Sequence, residues 1–307
     1  GVDGGYTQQD VQEVARCLTG WGMDRENGTF RFYPFLHDNG EKTVLGQKIP
    51  AGGGIRDGEM VLDILASHPS TARYIAGKLC VRFVADEPPA ALVDRIAKTF
   101  LDTKGDLKAV LNAIVYSPEF FSSAAYRAKI KSPFEFAVSA VRALGGSIEV
   151  PDPAVNLGRL SLVVAGGTSL QQGGNKGMRI LQGRKSLPQQ IALMGQPLFG
   201  HQAPDGYPEN SQEWVSSGAL IARLNFALDL TGGQVADVSA PLTTLLEGVS
   251  GDNHEAVLDR LNAVLLGGDM SPGTRAIVKN EMPAPGTPPN PAKLSALILG
   301  SPEFQRR

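Results

Sequence analysis

Four histidines and two cysteines are the scarcest reactive side chains in this 307-residue chain, and two of the histidines stand where a backbone should expose them. His37 is followed by Asp38, with Asn39-Gly40 and then Lys42-Thr43 close behind. An imidazole beside a carboxylate can move a proton, because the acid fixes the tautomer and raises the basicity of the ring. The same pair supplies two of the three or four ligands that a metal site requires, so it leaves the question of a metal or other cofactor open. Plain structure offers a turn instead: Asp-Asn-Gly is hairpin chemistry, with His37 facing Lys42 across the strands. The second histidine, His68, precedes Pro69 at an expected helix start, with Arg73 and Lys78 further along. Unpaired N–H groups at a helix start attract anions. An anionic group held by His68 and Arg73 is one expectation; a capping residue with solvated neighbours is the other. Were His37 and His68 to face one cavity, with Asp38 orienting His37, the case for a shared acid–base or metal site would rise.

Other chemistries have little to stand on. There is no Gly-x-Ser-x-Gly elbow, and Cys17 and Cys80 fall on apolar helical faces rather than in an electropositive opening. Gly52-Gly53-Gly54 lacks the Lys-Ser/Thr of a phosphate loop, and the glycines around Lys176 follow no strand. Residues 166–185 are Gly-rich and carry Lys176, Arg179, Arg184 and Lys185 without an acid, which suits an acidic polymer or partner. Tyr207 and Trp214 beside that loop would make a stacking platform for a sugar, or else anchor helices.

These side chains need elements to hold them, and the elements read as helices. Hydrophobic residues at 42% are enough for a sizeable core, and a formal charge of −2 removes the electrostatic case for nucleic acid. No apolar run reaches the roughly 18 residues of a membrane helix, so no membrane span is expected. Helices are predicted at 57–66, 69–85, 88–102, 106–116, 132–144, 187–195, 211–230, 241–248, 253–266, 272–281 and 291–299, after a first helix capped by Thr7 and Asp10. Prolines at 69, 88, 89, 133 and 272 mark first turns. One β-hairpin is predicted near residues 29–49, turning at Asn39-Gly40. The fold class is therefore mainly α, a multi-helix globular array with one small hairpin. Ser117-Pro-Glu-Phe120 is echoed by Ser301-Pro-Glu-Phe304, each a serine cap with proline and glutamate in the first turn. A composition seam at 146–153 sets a loose boundary between residues 1–150 and 151–307 within what reads as one continuous module.

Several of these segments carry a family resemblance. Tyr6-Thr7-x-x-Asp10-Val11, Ala15-Arg16-x-Leu18-Thr19-Gly20-Trp21, His37-Asp38 and Lys42-Thr43-x-Leu45-Gly46 come first. His68-Pro69-x-Thr71-Ala72-Arg73-Tyr74, Lys131-Ser132-Pro133-Phe134-Glu135-Phe136, Met194-Gly195-Gln196-Pro197-Leu198, Arg223-Leu224-Asn225 and Ser301-Pro302-Glu303-Phe304 follow in the same order. Together they resemble the bacterial family catalogued as domain of unknown function 1800. The resemblance implies a mostly helical, often exported protein without an established activity, and hence a periplasmic or extracellular location. It also implies a longer protein, in which a preceding part would cover apolar surface along the first helix. The chain departs from the family in showing Tyr207-Pro208 where Gly-Trp-Pro is more usual, and in its basic loop.

Two functions are compatible with the residues. One is an enzyme acting on an extracellular anionic or polysaccharide substrate through His37, Asp38, His68 and Arg73. The other is a non-catalytic binding or scaffold module working through the 166–185 loop, with Lys176 and Arg179, and through Tyr207 and Trp214.

Overall fold

The computed structural model describes residues 4–149, 184–250, 253–284 and 287–307. Helix makes up 52% and the strands form only small two-stranded antiparallel ribbons, so the mainly α expectation holds. The chain divides into two compact units, Gly1–Tyr126 and Arg127–Arg307. Residues 150–183, and with them the basic loop at 166–183, lie outside the described residues.

The first unit opens with α1 (Gln8–Cys17), set by a capping box in which the Thr7 hydroxyl takes the Asp10 N–H and the Asp10 carboxylate takes that of Thr7. Two ribbons follow, β1 (Trp21–Asp24) with β2 (Thr29–Phe32), and β3 (Lys42–Val44) with β4 (Gln47–Ile49). Then come α2 (Arg56–Ala66), α3 (Pro69–Phe83), α4 (Ala90–Asp102) and α5 (Leu107–Val115). Proline opens α3 and caps α4, as the sequence suggests. Cys17, Val44, Ile49, Val61 and Ile64 form a small core beneath α1 and the second ribbon, while α3, α4 and α5 bury a larger one around Cys80, Ile96 and Ile114.

The hairpin differs from expectation. Asn39-Gly40 is not its turn. The β3–β4 turn is Leu45-Gly46, with φ of 49° and 77°, the left-handed pair that a two-residue hairpin needs and that glycine adopts freely. His37 and Lys42 are therefore not cross-strand partners; Lys42 pairs with Ile49. Strand also extends beyond 29–49, at 21–24 and in a third ribbon of β5 (Ser147–Ile148) with β6 (Val238–Ser239).

The second unit contains α6 (Pro133–Ala143), α7 (Leu187–Leu193), α8 (Ser217–Thr231), α9 (His254–Leu261), α10 (Pro272–Asn280), α11 (Pro291–Leu299) and α12 (Pro302–Gln305). The expected helix at 211–230 is a short 3-10 turn, Ser211–Trp214, followed by α8; that at 241–248 is a 3-10 turn over Leu242–Leu246. Phe136, Phe226 and Phe304 stack edge-on at 5.8 and 5.9 Å within its core.

Candidate functional site

The densest buried polar group lies in the first unit, and strand and helix periodicity put it there. Strand β3 alternates, so Lys42 and Val44 point inward and Thr43 outward. Helix α2 buries Asp57, Gly58, Val61 and Ile64, one face at helical spacing. A lysine and an aspartate thus each occupy a place that apolar residues usually fill. Their side chains are 0% and 1% exposed, and Lys42 Nζ meets Asp57 Oδ2 at 2.6 Å. The ammonium also donates to the carbonyls of Asp38 and Gly40. The residues 38–41 that looked like a hairpin turn wrap a buried cation instead.

His37 completes the group, and it is buried rather than presented at a tip. Its Nδ1 lies 2.8 Å from the Thr19 carbonyl and 3.3 Å from the Thr19 hydroxyl. That hydroxyl donates to the Arg16 carbonyl and accepts the Asp38 N–H, so Nδ1 carries a proton and gives it to Thr19. Nε2 faces Asp57 Oδ2 at 3.1 Å. Oδ2 therefore serves both His37 and Lys42. Oδ1 of Asp57 has no partner among the described residues. It sits against Gly53, where a Cβ would come within 2.0 Å of it; only glycine leaves room. Gly53 and Asp57 both line a cavity of about 400 Å³, together with Pro50, Arg56, Glu59, Met60 and Asp63.

An outer layer of charge holds this group in place from α1. Asp10, Glu13 and Arg16, three residues apart, share one helical face. Arg16 grips Asp38 through Nε and Nη2 at 2.9 and 3.2 Å and Glu13 at 2.9 Å. Glu13 and Asp10 accept the backbone N–H groups of Thr43 and Leu45, at 3.1 and 2.7 Å, and so satisfy the open edge of β3. The Arg16 guanidinium, helped by the Gly40 N–H, holds the Asp38 carboxyl far below the usual carboxylate range. The Arg16 contact and the Thr43 N–H lower Glu13, and the Thr7 hydroxyl leads the lowering of Asp10.

The remaining sequence candidates lie elsewhere. His68 caps α3, its Nδ1 accepting the Ser70 N–H at 3.1 Å. It borders an apolar groove of about 190 Å³ with Tyr6, Val11, Val14, Val44, Leu45 and Leu65, in which Tyr6 and Val11 are exposed. Arg73 pairs with Asp94 across α3 and α4 on the exposed surface. Neither joins the His37 group. In the second unit Tyr207 and Trp214 do come together, with ring centroids 6.1 Å apart and tilted by 51°. Trp214 is buried and donates to the Pro208 carbonyl, while the Tyr207 hydroxyl donates to that of Pro197; this is the geometry of a packing anchor. Lys176 and Arg179 lie outside the described residues. Among the described residues no three His, Cys, Asp or Glu side chains come together as metal ligands, and no helix is long and apolar enough to cross a membrane.

Sequence reasoning missed Asp57, Thr19 and Arg16 as members of the group. The available signal for Asp57 was a carboxylate in the first turn after three glycines, on the face that otherwise reads Val61 and Ile64. Against known proteins, the chain matches over residues 1–306 the model of a family described as a protein of unknown function, DUF1800, and it belongs to that family. No curated protein and no solved structure matches it.

Proposed function

We propose that this chain, a member of a family with no established role, is a non-catalytic binding module of the periplasm or cell exterior, and that it meets its ligand at Asp57. One observation carries the reading: Asp57, its carboxylate fixed through Oδ2 by His37 and Lys42, lines a cavity of about 400 Å³ together with Arg56, Glu59, Met60 and Asp63. A wall held in place in this way costs little further ordering when a ligand arrives. The location rests on the family resemblance.

The competing reading is an enzyme acting on an extracellular anionic or polysaccharide substrate through His37, Asp38, His68 and Arg73. It needs those polar atoms to be available to a substrate. Both ring nitrogens of His37, the Asp38 carboxylate, Nδ1 of His68 and the Arg73 guanidinium instead have partners within the protein. Amide chemical shifts of the full chain, recorded against a panel of sugars, amines and carboxylates, test the proposal. Perturbation centred on Gly53, Asp57 and Met60, with the ligand recovered unchanged, is the expected result. Conversion of the ligand would favour the enzyme, and perturbation confined to His68 or to Tyr207 would move the site.

A further inference from the structure

We propose that Lys42 and Asp57 are a modification site: inside the folded protein the lysine Nζ and the aspartate carboxyl condense to an isopeptide bond. Such a bond needs an amine and a carboxyl held in contact, a surrounding without water, and a third group that can move protons between them. All three conditions meet here. Nζ lies 2.6 Å from Oδ2, which brings the carboxyl carbon, one bond further on, close to the roughly 3–3.5 Å of a near-attack pair. The lysine and aspartate side chains are 0% and 1% exposed, and the His37 ring is as deeply buried. Its Nε2 stands 3.1 Å from the same Oδ2.

Two carbonyls aim the nucleophile. Nζ gives two of its hydrogens to the carbonyls of Asp38 and Gly40 and the third to Oδ2. Passing that third proton to the carboxyl turns the ion pair into an amine and an acid, a conversion that costs less in a low-dielectric interior than in water. It leaves the nitrogen lone pair directed at Asp57. The Nζ–Cγ bond then forms. Nitrogen and Oδ2 now share one carbon, so His37 Nε2, beside that oxygen, relays a second proton from the nitrogen to it. The Cγ–Oδ2 bond breaks and Oδ2 leaves as water. The ammonium has given up two protons and the carboxylate one oxygen, so the step balances with no co-reactant. The bond ties β3 to the first turn of α2, closing a ring over residues 42–57, and it needs no ligand at the cavity.

Intact mass and tryptic mapping of the denatured full chain test this. Trypsin should cut after Arg31, Lys48, Arg56 and Arg73 but not after Lys42. The expected result is a mass lower by one water than the sequence requires, with a branched peptide joining 32–48 to 57–73. Lys42→Arg, whose guanidinium keeps the charge but does not condense, should restore the full mass and melt at a lower temperature. His37→Gln should leave most of the folded chain unlinked, and complete linkage there would overturn the histidine relay. Asp57-Gly58 can lose the same water by closing on its own backbone, but Lys42 is then cut. That pattern, or an intact mass equal to that of the sequence, overturns the proposal.

Discussion

The two units solve the problem of buried charge in opposite ways. In the first, Lys42 and His37 share a carboxylate, Asp57, that is buried with them. In the second, Arg223 is fully buried with no carboxylate among the described residues bonded to it. Its Nη2 donates to the carbonyls of Lys131 and Trp214 at 2.7 and 3.5 Å, its Nη1 to Gln305 at 3.3 Å, and it lies over the Phe136 ring. Nε has no partner among the described residues. Lys131 lies 3.9 Å over the Phe304 ring and donates to the Phe304 carbonyl at 2.6 Å. Carbonyl dipoles and ring faces solvate a cation only in part. Burial accordingly pushes Lys131 down to about 8, with Arg127 and Arg223 adding to it, and Arg223 down to about 10. A full counter-charge makes a cluster rigid; partial solvation leaves one that holds its proton weakly.

The contrast can be broken most severely at Asp57. Asp57→Ala takes the carboxylate away from His37 and leaves the buried Lys42 ammonium only the Asp38 and Gly40 carbonyls, and should cost about 3–5 kcal/mol of unfolding free energy, read from urea denaturation of the full chain. A loss below about 1 kcal/mol would mean that the Asp38 and Gly40 carbonyls suffice for Lys42, and the two clusters would not differ in kind.

The next effect is in pH. The Lys131 pKa in the folded protein lies below its unfolded value of 10.5, so between about pH 8 and 10.5 the unfolded chain binds more protons and stability rises with pH. After allowance for solvent screening the gain is on the order of 2 kcal/mol. Cys80, whose thiol burial lifts to about 11, pulls the other way above pH 9. The difference between the chain and its Lys131→Met variant isolates the lysine, and a flat difference curve from pH 8 to 10.5 would remove the argument.

Arg223→Met removes a buried charge and its hydrogen bonds together. It should cost only about 1–2 kcal/mol, well below Asp57→Ala, and should let the Lys131 pKa rise, as NMR titration of its Nζ would record. Smallest of all is Ser132→Ala, which opens the capping box that holds Glu135 over the start of α6. A loss of about 1 kcal/mol in thermal or urea unfolding is expected.

What the sequence revealed follows the same division between local and distant causes. The caps at Thr7 and Ser301 were legible because a cap is written within four residues. So were the proline starts and the helical class. The Asn39-Gly40 turn misled because the force on that segment comes from Asp57, fifteen residues further on, which draws the Lys42 ammonium inward. No pattern within a hairpin-sized window records that pull. The proton-transfer reading of His37-Asp38 met the same difficulty, since the acid that faces Nε2 is Asp57, not Asp38, which is turned to Arg16. Single aromatics such as Trp214 gave no local sign of which side of the chain they would face.

The second unit has a pairing whose consequence concerns synthesis. Lys129 and Arg307 exchange backbone hydrogen bonds at 3.3 and 2.9 Å, Ile130 bridges to Arg306, and Lys131 donates to Gln305 at 2.8 Å. The segment that opens the unit is thus zipped to residues translated much later. At ordinary ribosomal speeds the first partner waits roughly 10–30 s for the second. Through that interval Lys131, Arg223 and the Phe136 ring lack the Phe304 and Gln305 contacts that complete them. The apolar clusters of the first unit, by contrast, draw only on residues already translated. A nascent chain stalled before residue 305 should therefore expose a folded leading half and a trailing half that chaperones can still hold.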